Sequence, residues 1–155
     1  MIYRKAKMEY VKNIQALINQ YASDGLMLAK PLVTIYENLR EYVVAEEEGR
    51  VVGVGGLHIL WEDLAEVRSL AVNNEYAGKG IGSEIVKRLE DEAVFLGLKQ
   101  VFALTYQTGF FEKLGYHEIE HSSLPQKVWM ECINCPKFPN CDEHAVLKTM
   151  PVTIK

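Results

Sequence analysis

The chain has 155 residues, 48% of them hydrophobic, 25% charged and 10% aromatic, with 17 Lys and Arg against 21 Asp and Glu. That balance belongs to a folded domain with a core of its own and excludes a disordered tail, a disulfide-stapled miniprotein and a low-complexity chain. The formal charge of -4 opposes bulk attraction to nucleic-acid phosphates, no apolar run approaches the length of a bilayer span, and Met1-Ile2-Tyr3-Arg4-Lys5 lacks the apolar segment of a signal peptide. A single cytoplasmic domain over 1–155 is therefore expected, with neither nucleic acid nor membrane as partner.

A short strand is expected around Ile2 to Arg4. Val11, Ile14, Leu17, Ile18 and Tyr21 then recur at three- and four-residue spacing, which marks one face of a helix ended by Ser23-Asp24-Gly25. Pro31 suits the start of a second helix carrying Leu32, Ile35, Tyr36 and Leu39. Tyr42 to Glu46 and Val51 to Ile59, separated by Glu48-Gly49-Arg50, read as two strands joined by a tight turn. A third strand, Leu64 to Val72, has a period of two that puts Glu66, Arg68, Leu70 and Val72 on one face and Ala65, Val67, Ser69 and Ala71 on the other. After Gly78-Lys79-Gly80-Ile81-Gly82-Ser83, the residues Ile85, Val86, Leu89, Ala93 and Leu96 fall at helical spacing, and Gly97 supplies a stop. A strand at Val101 to Leu104, a short helix with Phe110, Phe111 and Leu114, and a strand near Tyr116 to Ile119 follow. Antiparallel hairpins ahead of a strand, glycine loop and helix imply an α/β (α+β) fold, with a mixed, mostly antiparallel sheet and helices on both faces. Residues 124–155 read as an irregular, Cys-containing extension, closing with a strand at Ala145 to Met150.

The glycine loop carries the chemistry. Glycines 78, 80 and 82 let a ligand approach the backbone closely, and the first amides of the next helix lack internal partners, so they can hold an anion such as a pyrophosphate. A glycine-rich turn made only for tight packing fits the same spacing. A nucleotide triphosphatase loop does not, because Lys79 is followed by Gly80 rather than Ser or Thr.

The run Ala77-Gly78-Lys79-Gly80-Ile81-Gly82-Ser83 after a strand ending Leu70-Ala71-Val72, with Phe110-Phe111-Glu112-Lys113-Leu114-Gly115-Tyr116 after the next strand, resembles the GNAT superfamily of N-acetyltransferases over about Ile2 to Ile119. The resemblance implies acetyl-CoA as cofactor. Its pyrophosphate would sit on the amides of the Gly78, Lys79, Gly80, Ile81, Gly82, Ser83 loop, and its pantetheine arm would pair with the backbone of Leu70, Ala71 and Val72. The family usually has Gln or Arg where this chain has Ala77, yet the anion contacts come from the backbone. Trp61 to Val72, Leu104 to Phe111 and Leu124 to Trp129 look like the acetyltransferase part of N-acetylglutamate synthases, in their short stand-alone bacterial form. That likeness implies glutamate as acceptor in arginine biosynthesis. Longer members often place Arg where this chain has Gln107.

Acetyl transfer to an amine needs an uncharged nitrogen, so some group must accept the ammonium proton. Glu66 is the candidate, on the strand that flanks the acetyl group and beside Arg68; a purely structural Glu66-Arg68 pair is the alternative. Many relatives use Tyr where this chain has Phe111, a residue placed at the cofactor, so Tyr106 is the candidate donor to the departing thiolate unless solvent or packing claims that role. Arg68, Lys30 and Gln107 are the candidates for holding an acidic acceptor's carboxylates. His58, alternating with apolar residues, reads as a satisfied hydrogen-bonding residue. A polyamine, an antibiotic or a protein amino terminus as acceptor, and a non-catalytic acyl-CoA binding module, stay open at this point.

Cys132, Cys135, Cys141 and His144 present three thiols and an imidazole within one short stretch, a donor set that would suit structural zinc or else a rigid loop with free thiols. Trp129, Met130, Ile133 and Phe138 would pack the tail on its own domain or on a second copy in a homodimer.

Overall fold

The computed structural model describes residues 1–27, 29–125, 128 and 143–151. Seven strands, β1 (Ile2–Lys5), β2 (Tyr42–Glu47), β3 (Arg50–Trp61), β4 (Leu64–Val72), β5 (Gln100–Thr105), β6 (His117–Ile119) and β7 (His144–Thr149), follow the sheet order β1-β2-β3-β4-β5-β7-β6. β4 pairs with β5 in parallel, whereas β1 with β2, β2 with β3, β5 with β7 and β6 with β7 pair antiparallel, the mixed sheet expected. The helices are α1 (Val11–Ser23), α2 (Leu32–Glu37), α3 (Ile81–Leu96) and α4 (Thr108–Lys113). Packing divides the chain into two compact units, Met1–His58 with Val67–Glu92, and Ile59–Glu66 with Ala93–Lys155.

In the first unit α1 buries the face its spacing announces. Val11, Ile14, Leu17 and Ile18 join Ile35 of α2 and Tyr42, Val44 and Val54 of the strands in one apolar cluster. Full burial of each large side chain there stabilises the fold by roughly 1.5–3 kcal/mol. At the end of α1, Gly25 takes φ 75°. This lets the Leu26 N–H reach back to Tyr21 O at 3.0 Å, the closing bond of a left-handed helix stop. α2 is shorter than its apolar spacing predicts. Asn38 binds Thr34 O through its side chain at 2.9 Å and ends the helix, so Leu39 falls in a separate 3-10 turn. The β2–β3 hairpin turns at Glu48 and Gly49, with φ 52° and 77°, the left-handed pair whose twist matches the strands.

The glycines of β3 serve close packing. A Cβ at Gly53 would lie 2.9 Å from Ile81 Cγ2, and one at Gly55 would lie 2.7 Å from Ile85 Cγ2. Helix α3 therefore rests almost directly on the strand backbone. Ile81 is its first residue, so the same contact sets the height of the helix start. The opposite face of β3 meets the α1–α2 cluster through Val54, giving this unit helices on both faces of its strands.

In the second unit Leu60, Leu64, Phe102, Leu124, Val128 and Ala145 form a separate core. The expected closing strand forms, as His144–Thr149, and it lies inside the sheet. β7 lies between β5 and β6, in register from Gln100↔Thr149 to Thr105↔His144 on one side and from His117↔Leu147 to Ile119↔Ala145 on the other. Such pairing is set by long-range register, which local patterning does not encode.

Candidate active site

The turn leading to α3 is built from side-chain and backbone caps. Asn73 accepts the Glu75 N–H on its side chain at 3.0 Å, and the N–H groups of Tyr76 and Ala77 return to Asn73 O and Asn74 O. Gly78 and Gly80 then take φ 77° and 78°, a region costly for any side chain. A Cβ at either would meet no other atom within 4 Å, so the space above both is open. The first helical bond runs from Glu84 N–H to Gly80 O at 3.1 Å, which leaves the amides of Ile81, Gly82 and Ser83 without acceptors inside the helix. Lys79 adds an ammonium 5.1 Å above the Tyr76 ring. Open space over two left-handed glycines, next to helix-start amides that lack internal partners, is what binding of a diphosphate requires. The packing alternative does not hold for Gly78 and Gly80, where an added Cβ meets nothing, in contrast to Gly53, Gly55 and Gly56.

On β4 the regular strand backbone is interrupted at one residue. Ser69 has φ 56°, so the pleat does not continue through it. Leu70 reaches the α3 side of β3, where its Cδ1 would lie 3.1 Å from a Cβ at Gly55, and Ala71 joins the α1–α2 cluster. Leu70 and Ala71 thus take the opposite sides expected of them, and the left-handed Ser69 bends the strand just before them. Val72, at the strand end, exchanges two hydrogen bonds with Tyr21 of α1: its N–H donates to Tyr21 Oη at 3.1 Å, and Tyr21 Oη donates to its carbonyl at 3.0 Å.

Arg68 lies near Tyr42, a residue 3% exposed that packs against Gly56. Burial pushes the Tyr42 phenol up from 10.0; a Ser69 hydrogen bond lowers it, Glu41 raises it and Arg68 lowers it. His58 donates through Nδ1 to Glu41 Oε2 at 2.9 Å, the satisfied hydrogen bond expected of it. Lys30 is held by its backbone: its carbonyl accepts Gln15 Nε2 at 3.1 Å, and its N–H meets Asn19 Oδ1 at 3.4 Å. Helix α1 thereby fixes the start of the segment that precedes α2.

In the second unit Glu66 is 8% exposed and registers with Phe102 in the parallel ladder. A carboxylate so enclosed is uncommon outside ion pairs and active sites. Thr105 Oγ1 accepts the Gln107 N–H at 2.8 Å, a tight turn that carries Tyr106 and Gln107 past the end of β5. Phe111 is buried, edge-on to Phe110 and Tyr116 with ring centroids at 5.1 and 5.2 Å. Gly115, at φ 97°, ends α4 with Tyr116 N–H on Phe111 O, which explains the Phe-Phe-Glu-Lys-Leu-Gly-Tyr pattern. His144 opens β7 with Nδ1 2.6 Å from Glu118 Oε2. Cys132, Cys135 and Cys141 lie outside the described residues, as do Trp129, Met130, Ile133 and Phe138. Among the described residues no group of three or more His, Cys, Asp or Glu could hold a metal, which leaves the zinc expectation without support there. Among them, too, no helix is long and apolar enough to cross a membrane.

Tyr21, Tyr42 and Ser69 are the residues of this region that pattern reading did not single out. The only available signal was chemical: a tyrosine on a buried helix face still needs a partner for its hydroxyl.

The Acetyltransferase (GNAT) family profile matches residues 11–116. An uncharacterized N-acetyltransferase, CT2212, of Chlorobaculum tepidum is 40% identical over 147 residues, covering 95% of each chain. An amino-acid acetyltransferase of Mycobacterium tuberculosis is 43% identical over 133 residues, 84% of this chain and 76% of that one. Among solved structures, Rv2747 from Mycobacterium tuberculosis in complex with CoA and NLQ superposes with a TM-score of 0.87 at 36% identity, covering 97% of this chain and 100% of that one. The seven-stranded mixed sheet and these likenesses agree: the chain belongs to the GNAT acetyltransferase family and is an acetyl-CoA-dependent N-acetyltransferase.

Proposed function

We propose that the protein transfers the acetyl group of acetyl-CoA to the α-amine of an amino acid, L-glutamate first, as a cytoplasmic step of arginine biosynthesis. The observation that carries the reading is the open space over the left-handed Gly78 and Gly80 at the start of α3, joined to 43% identity with an amino-acid acetyltransferase. The coenzyme supplies an acetyl group activated as a thioester. The amides of Lys79 to Ser83 bind its diphosphate, and the edge of β4 at Leu70 to Val72 orients its pantetheine arm. Glu66 takes a proton from the acceptor's ammonium, directly or through one water, and frees the nitrogen lone pair. Arg68, Lys30 and Gln107 hold the acceptor's carboxylates, the first two by charge and the last by its amide. Tyr106 Oη donates a proton toward the leaving sulfur. Transfer is direct between the two bound substrates.

The test is acetyl-CoA turnover against amino acids, polyamines, an aminoglycoside and an amino-terminal peptide, with coenzyme A binding measured alongside. Glutamate should give the highest kcat/KM. Preference for a polyamine or another cation would overturn the acceptor assignment, and tight coenzyme binding without turnover of any amine would leave a binding module.

A further inference from the structure

The Tyr21 hydroxyl sits in an unusual place. Asn73 N–H donates to Val52 O of β3 at 2.8 Å, so the backbone groups of Asn73 face β3. Successive residues of a strand turn their N–H and C=O to opposite edges, which directs those of Val72 away from β3. There a single hydroxyl meets both, accepting the N–H at 3.1 Å and donating to the carbonyl at 3.0 Å. This is the pair of bonds that an amide of a neighbouring strand would supply. A phenol has one proton to donate and an amide one to give, so both groups are fully engaged and the Val72 N–H has nothing left for a further acceptor.

We infer that Tyr21 is a built-in stand-in for the coenzyme's amide, a hydroxyl on the β4 edge that must give up Val72 before the pantetheine arm can pair there. The inference rests on the reading that this arm pairs with β4 at Leu70 to Val72. An amide carbonyl of that arm and the Tyr21 oxygen need the same hydrogen, so only one can hold it. Tyr21 is well placed to yield. It lies in the last turns of α1, one turn before the Gly25 stop, and the side chain is only partly buried. The device keeps the edge satisfied, and an unpaired strand edge is otherwise a template for unwanted pairing. Its consequence is that acetyl-CoA binds against a standing internal competitor.

The experiment compares wild type, Tyr21→Phe and Tyr21→Leu by calorimetric binding of two probes. Coenzyme A carries the pantetheine arm, and 3′-phospho-ADP carries the diphosphate without it. Removing one competing hydrogen-bond pair should tighten coenzyme A by roughly two- to tenfold and leave 3′-phospho-ADP unchanged. In the wild-type protein, the backbone amide resonance of Val72 should shift with coenzyme A and stay put with 3′-phospho-ADP, a readout that needs no variant. Unchanged or weaker coenzyme A binding in Tyr21→Phe, equal tightening of both probes, or a Val72 amide indifferent to coenzyme A would each overturn the inference. Failure of the wild type to bind either probe would instead remove the cofactor reading beneath it.

Discussion

A methyl group placed on Gly55 would stand 2.7 Å from Ile85 Cγ2. The obstructing atom is a β-branch carbon held against the helix backbone, and Leu70 Cδ1 at 3.1 Å closes a second direction, so the site cannot relax by swinging a flexible chain end. Gly55→Ala should cost about 1–3 kcal/mol through overpacking, read as a lower urea midpoint with an unchanged slope. Ile85→Ala leaves a cavity of its own, but in the double variant that cavity accepts the added methyl. The two losses should therefore fall short of additivity by roughly 0.5 kcal/mol or more. Strict additivity would mean that α3 does not rest on Gly55.

The cradle glycines answer to a different constraint, and one substitution separates the two kinds. At Gly80 the space is open but φ is 78°. Gly80→Ala should lower stability only by about 1–2 kcal/mol, the cost of a side chain in the left-handed region. Its Cβ would then project into the open space that the proposed diphosphate site needs. Affinity for coenzyme A and for 3′-phospho-ADP should fall together by about tenfold or more, as expected for loss of a charge-assisted hydrogen bond. Parallel titrations of both ligands settle it; a variant that binds both as the wild type does would move the diphosphate elsewhere.

These two glycine sets show what was legible beforehand. Apolar spacing located every helix and strand of the first unit, because amphipathic faces repeat locally, and the glycine loop before α3 announced itself by position. That Gly53 and Gly55 are packing surfaces and Gly78 and Gly80 are not became visible only with Ile81 and Ile85 in place. The α2 helix ended early because Asn38 caps it with its own side chain, a competition between local bonds that apolar spacing does not record. The insertion of β7 between β5 and β6 depends on partners far apart in the chain. Ser69 takes a left-handed φ inside β4 with no glycine to betray it, and the Tyr21–Val72 pair joins residues 51 positions apart.

Glu66→Gln keeps the shape of the side chain and removes its ability to take a proton. If Glu66 is the base, kcat should drop by about 10²–10⁴, while coenzyme A affinity, measured by calorimetry, stays as it was. Since Glu66 is 8% exposed and lies on the β4–β5 ladder, Glu66→Ala is the less informative change, because it would alter packing as well as chemistry. Normal turnover by Glu66→Gln would hand the proton to another group.

Tyr42 makes the alkaline limb of stability readable. Its folded-state ionisation lies above the ordinary 10.0, chiefly through burial. The folded state therefore keeps a proton that the unfolded chain loses first. For a group raised in this way the stabilisation is complete below the unfolded value and drains away as pH climbs through the folded one. Unfolding free energy should be insensitive to Tyr42 up to about pH 10 and decline above it. Tyr42→Phe should make that decline shallower, with Tyr3, also raised by burial, carrying part of what remains. Urea melts in a pH series measure this directly, and identical slopes in the two proteins would contradict it.

Ser69 connects the β4 irregularity to Tyr42, since it combines φ 56° with a side-chain hydrogen bond to that phenol. Two terms of similar size then oppose each other on replacement. Ser69→Gly relieves a left-handed strain of about 1–2 kcal/mol and gives up a hydrogen bond of about 1 kcal/mol, so it should come out near neutral. Ser69→Ala retains the strain and loses the bond, a net cost of about 1 kcal/mol. Ser69→Val adds a β-branch at positive φ and should be the least stable of the three. The same bond lowers the Tyr42 ionisation, so both Ser69→Gly and Ser69→Ala should leave the onset of the alkaline decline at about pH 10 and make the decline deeper and longer, whatever they do to stability at neutral pH. A stability order with Val above Gly would mean that the left-handed turn in β4 is not what Ser69 is holding.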